Sequence, residues 1–112
     1  MKLVNLTQHT ITLHGVGGAI TVAPSGDVAR LAVTRVELDA VHVDGVALSV
    51  NRPTIGAVTG LPPPDDGVVY IASAMVAEAV RRRDVLSPGE LIRDGAGVVV
   101  GAKGLCSYYS PV

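Results

Sequence analysis

Polar and apolar residues alternate from Lys2 to Thr7, and the alternation returns over Ile11 to His14 and over Ala19 to Ala23, across the glycine-rich turn Gly15-Val16-Gly17-Gly18. A period of two sends successive side chains to opposite faces, so these segments predict the opening of a β meander. After a turn at Pro24-Ser25-Gly26, Asp27 to Glu37 carries Val28, Leu31, Val33 and Val36 and predicts a strand with a bulge near Ala29 to Arg30. Val41-His42-Val43 and Val46-Ala47-Leu48-Ser49-Val50 flank Asp44-Gly45, which supplies the positive φ angles of a type I′ turn and predicts a hairpin. Asn51 to Pro53 breaks the pattern before a short strand at Thr54 to Thr59, where Gly56 marks a bulge or tight bend. Leu61-Pro62-Pro63-Pro64-Asp65-Asp66-Gly67 predicts a stiff polyproline-type connector, since proline fixes φ and carries no N–H.

The pattern changes once. Val68 to Ala72 is a continuous apolar strand that runs directly into helix-favouring sequence, predicting a helix over about 73–83 with Ser73 as N-cap and Met75, Val76, Ala79 and Val80 on one face. The unpaired N–H groups of its first turn would make a ready anion site at the strand end. Arg81, Arg82 and Arg83 would complement the opposite end of the macrodipole, ~12 Å away at ~1.5 Å per residue, so cations at Ser73 must come from Arg30, Arg52, Arg93 or a neighbouring chain. Glu90 to Arg93, the turn Asp94-Gly95-Ala96-Gly97 and Val98 to Val100 form a second predicted hairpin, and Leu105 to Tyr108 adds an edge strand. The sum is an α+β, mainly β fold: an antiparallel or mixed, partly barrel-like sheet of short strands with one helix.

Length and composition sharpen this picture. A chain of 112 residues fits one domain, 1–112. It is 48% hydrophobic yet has no Trp, no Phe and three Tyr, so the core is aliphatic and β-prone. The apolar surplus exceeds what a small monomer readily hides and predicts a homo-oligomer. A net charge of −1 supplies no broad positive field and disfavours nucleic-acid binding. The single Cys106 excludes an internal disulfide and reads as a buried, inert thiol. Without a signal-like opening or an apolar run of spanning length, the expected location is the cytoplasm, with no membrane partner.

Three patches carry a resemblance: Asn5-Leu6-Thr7-Gln8-His9; Val69-Tyr70-Ile71-Ala72-Ser73 with Val76; and Asp84-Val85 through Pro88-Gly89-Glu90-Leu91-Ile92-Arg93-Asp94. Together they resemble a family of small, uncharacterised actinobacterial and phage proteins that open on Asn-Leu-Thr-Pro-His. Gln8 stands where that family has proline. The resemblance implies a phage or mobile-element setting, with the host cytoplasm as location, and no chemistry.

Candidate chemistry rests on few residues. His9, in a turn beside Thr7 and Thr10, suits a phosphate contact or a general base, because imidazole titrates near neutrality. Arg30, Arg52 and Arg93 lie near strand ends, where a guanidinium can grip a phosphate or carboxylate through two hydrogen bonds. With Tyr70 and Ser73 they complete the candidate ligand-binding set. His9 and His14 fall on opposite strand faces and no Cys or acidic residue is spaced to join them, so no metal or other cofactor is expected. No paired carboxylates or nucleophile motif occurs. The residues therefore read as a small ligand-binding or interaction domain for an anionic small molecule such as a nucleotide. Two alternatives stand beside it: a small enzyme hydrolysing or transferring a phosphate or glycosidic bond with His9 as base, and a structural or assembly protein.

Overall fold

The computed structural model describes residues 1–111. In chain order the strands are β1 (Lys2–Asn5), β2 (Ile11–Gly15), β3 (Gly18–Val22), β4 (Arg30–Val43), β5 (Val46–Thr59), β6 (Val68–Ile71), β7 (Val85–Arg93) and β8 (Val99–Ser107), with the helix α1 (Ala74–Val80) between β6 and β7. Six of them form one sheet in the order β1-β6-β7-β8-β2-β3, and β4 and β5 pair only with each other. β6 is parallel to both neighbours, β7–β8 and β2–β3 are antiparallel, and β8 meets β2 in parallel, so the sheet is mixed. The fold is mainly β with one short helix, in the α+β class.

The sheet curls until its two outer strands meet. A parallel bridge joins Asn5, at the end of β1, to Pro24, just past β3, and the Ser25 amide donates to the Asn5 carbonyl at 2.9 Å. This seam nearly closes a barrel, removing the open edges that short strands must otherwise hide. β6 has strands on both sides and packing on both faces, which its unbroken run Val68-Val69-Tyr70-Ile71 suits. Period-two alternation splits the core: Tyr70 and Ala72 join Leu6, Val76, Ala77 and Val85 beneath α1, while Ile71 turns inward to Leu13 and Ala102.

α1 is shorter than the predicted 73–83. Ser73 caps it, its hydroxyl accepting from the Val76 N–H at 3.3 Å, but Arg81 adopts a left-handed conformation at φ 49° and ends it, donating its N–H to the Ala77 carbonyl. The cause lies just beyond. Arg82 places a two-pronged ion pair on Asp84 at 2.9 and 2.6 Å and donates to the Pro62 carbonyl at 2.9 Å. The Asp84 carbonyl in turn accepts from the Tyr70 N–H at 2.8 Å, which starts the β6–β7 pairing. The chain must leave the helix early to reach that register. The proline connector is extended, as its sequence requires, and is held by Arg82 and by the Tyr70 hydroxyl donating to the Pro63 carbonyl at 3.3 Å.

Two strand predictions need correction. Residues 99–107 form one continuous strand between β7 and β2, not a hairpin arm followed by an edge. Asn51 to Pro53 also does not interrupt anything: β4 and β5 are each 14 residues long and pair throughout, with Pro53 opposite Arg35. A two-stranded ribbon has an open side on each strand, so it tolerates a residue without an N–H. The register shifts between Leu31 and Val33, across from the segment holding Gly56, and again between Leu38 and Val41. The bulge predicted near Ala29 and Arg30 is thus displaced, while the one at Gly56 is present.

The ribbon has two unlike faces. Its register puts Val36, Leu38, Val41 and Val43 of β4 on the same side as Val46, Leu48, Val50 and Arg52 of β5. The opposite side carries Arg35, Glu37 and His42 with Ser49 and Asn51, and Arg35 donates to the Asn51 side chain at 2.9 Å. Only the base of the ribbon is anchored, where Leu31 and Val58 pack against the helix-side core. The rest is an arm, in a molecule measuring 59 × 38 × 32 Å.

Candidate functional site

The loop after β1 is built around one side chain. Asn5 is 1% exposed; its Nδ2 donates to the carbonyls of His9 at 2.7 Å and Val22 at 3.0 Å, and its Oδ1 accepts from the Thr7 N–H at 2.9 Å and Thr7 Oγ1 at 2.7 Å. An amide is the one neutral side-chain group that offers two donors and an acceptor in this arrangement, so Asn5 folds the loop back and stitches it to the end of β3. The Leu6 carbonyl then accepts from the Ala29 N–H at 3.0 Å, drawing the start of β4 alongside. The Asn-Leu-Thr-x-His stretch is accordingly the barrel seam. Its asparagine holds the His9 backbone and leaves the imidazole exposed.

That folding brings three of the six candidate residues together. His9, Arg30 and Ser73 line a cleft of about 420 Å³, with Leu6, Ala29, Leu31, Met75 and Val76 among its apolar walls. The lining contains no carboxylate, so Arg30 gives the cleft a positive character. Ser73 contributes through a hydroxyl already engaged as the cap of α1.

The other three lie elsewhere. Tyr70 is 5% exposed, with its ring in the helix-side core and its hydroxyl on the Pro63 carbonyl. Arg52 sits on the apolar side of the arm, opposite Val36. Arg93 closes the β7–β8 turn, donating to the Gly97 carbonyl at 3.0 Å. Arg83 stacks on Tyr109, with its guanidinium carbon 4.9 Å from the ring centroid. Cys106, expected to be buried, is exposed on β8, because its side chain points outward over Gly89, where no side chain covers it. His14 lies against Gly101 and His42 lies on the polar side of the arm. Among the described residues no three His, Cys, Asp or Glu side chains gather as a metal would require.

Comparison with protein-family models, with curated proteins and with solved structures returned no match. No helix among the described residues is long and apolar enough to cross a membrane.

An exposed aliphatic stripe lies outside the candidate residues drawn from the sequence. Six aliphatic residues of the arm, Val36, Leu38, Val41, Val43, Val46 and Leu48, are 41–56% exposed along one stripe. The alternation that marks it runs from Val46 to Val50, and Arg52 and Thr54 carry the same side onward with polar residues. Pro53 predicts a break there, but the ribbon's open edge accommodates it.

Proposed function

We propose that this protein is a small interaction and assembly domain that docks through its β4–β5 arm. The observation that carries the reading is the aliphatic stripe on a ribbon anchored only at its base. A solitary two-stranded ribbon is marginal in water, and an apolar stripe of this extent on a soluble protein signals a surface that another protein covers. The cleft at His9 offers less for chemistry, since Thr7 is engaged in holding the seam and the Ser73 hydroxyl in capping α1.

The arm's role is testable with a hydrophobic dye. At a dilution where the chain is free, anilinonaphthalene sulfonate should bind the native protein and lose most of its fluorescence on the double change Val41→Glu and Leu48→Glu, while the melting temperature of the barrel stays put. Equal dye binding by both proteins would place the adhesive surface elsewhere and contradict the reading.

A second reading is supported by the meeting of His9, Arg30 and Ser73 at one cleft: a site for an anionic small molecule such as a nucleotide, with Arg30 as its charge. A thermal-shift titration with nucleotides and inorganic phosphate tests it. Stabilisation that disappears in Arg30→Gln supports the cleft; stabilisation that survives this change removes it.

A further inference from the structure

We infer that the arm's occupant is the arm of a second copy of this chain, the two packing stripe to stripe and antiparallel about a two-fold axis. The inference rests on the docking reading above and adds the partner and its orientation.

Composition of the surface comes first. From the Leu38–Val50 pair to the Val43–Val46 pair the stripe is wholly aliphatic, with Arg52, opposite Val36, at its base, so its central length selects no charged partner. A two-fold interface needs a patch that complements itself, and a ribbon of Val and Leu side chains does so by interdigitation. None of the three tyrosines, Tyr70, Tyr108 and Tyr109, lies on the arm. The ribbon therefore lacks the aromatic girdle with which strands settle into a bilayer, and this disfavours a membrane as occupant.

Area comes second. Half-exposed Val and Leu side chains offer ~50 Å² of apolar surface each, so the stripe's six present roughly 300 Å² and two copies roughly 600 Å². Homodimer interfaces are ~65% apolar, which implies a total near ~900 Å². That falls just short of the ~1,000 Å² expected of a stable specific interface, so the dimer should be weak and readily reversible, with a dissociation constant of roughly tens of micromolar.

Charge fixes the orientation. On the stripe's side the arm carries Arg52 towards its base, its tip carries the turn residue Asp44, and Arg35 and Glu37 lie together on the opposite side. An axis through the middle of the stripe, between the pairs Leu38–Val50 and Val41–Leu48, lays the tip of one arm over the base of the other. Asp44 of each copy then comes within a long side chain's reach of Arg52 of the other. A parallel arrangement would instead set Asp44 against Asp44 and Arg52 against Arg52.

Sedimentation velocity on the full chain across roughly 1–300 μM provides the test, with circular dichroism as the check on folding. The native chain should pass from monomer to dimer. Leu48→Glu should remain monomeric with the spectrum the native chain shows at the dilute end of the range, and the milder Val41→Thr, which keeps β propensity, should weaken the dimer at least tenfold. Asp44→Arg and Arg52→Asp should each weaken it about tenfold, since each acts at both ends, and the double exchange should restore it to within about threefold of native. If the stripe changes abolish the dimer but the double exchange restores nothing, the antiparallel geometry is wrong and the docking reading stands. A chain that is monomeric throughout, or whose arm binds anionic lipid vesicles, overturns the second copy as occupant. A dimer indifferent to Leu48→Glu and Val41→Thr overturns both.

Discussion

Replacing Asn5 by Ala should open the barrel seam. The change removes four hydrogen bonds: those to the carbonyls of His9 and Val22 and those from the Thr7 N–H and hydroxyl, at 2.7–3.0 Å. Each such bond contributes ~0.5–1.5 kcal/mol net, which puts the loss at roughly 2–6 kcal/mol. The Thr7 groups are reached by water once the asparagine is gone, so a value near ~3 kcal/mol is expected, a large part of the ~5–15 kcal/mol stability of a typical domain. Urea unfolding followed by circular dichroism would measure it as a fall in midpoint with little change in slope. Hydrogen exchange adds a local readout, because the Ser25 and Ala29 amides, bonded to the carbonyls of Asn5 and Leu6, should lose protection before the β7–β8 pair does. A loss below ~1 kcal/mol with Ser25 still protected would refute the claim that this side chain closes the barrel.

Two further substitutions probe the joints that position the arm and the connector. Gly60 has φ +79°, and a Cβ there would lie 2.3 Å from the Val28 carbonyl oxygen, so Gly60→Ala should cost more than ~2 kcal/mol and lower the melting temperature by several degrees; an unchanged melt would contradict the tight approach at the root of β5. Arg82→Lys should cost ~1–2 kcal/mol in urea unfolding, because a lysine cannot hold both Asp84 oxygens and the Pro62 carbonyl at once; full stability in the lysine variant would show that the fork is dispensable.

Local pattern made several elements legible. The Asp44-Gly45 turn and the strand-to-helix passage at Val68 to Val80 appear where turn chemistry and periodicity place them, since both are decided by residues close in sequence. What failed to show was non-local. The helix end at Arg81 is set by Arg82 reaching Asp84 and Pro62, and the continuity of β5 through Pro53 depends on a free ribbon edge. The site was legible in the same partial way. His9, Arg30 and Ser73 share a cleft because Asn5 folds the first loop back, a fact visible only once Val22 and His9 are seen to share its amide. Tyr70, Arg52 and Arg93 had plausible local chemistry and separate places in the fold.

Hydrogen exchange of the amides in residues 36–50, followed at rising protein concentration, reports whether a second copy covers the arm's apolar stripe in solution. A free ribbon anchored at one end opens at almost no cost, so its amides should exchange near the unprotected rate in dilute protein. With a second copy as the occupant, protection of the arm grows with concentration while that of β6 and β7 does not change. Arm protection that is independent of concentration, or absent throughout, would contradict it.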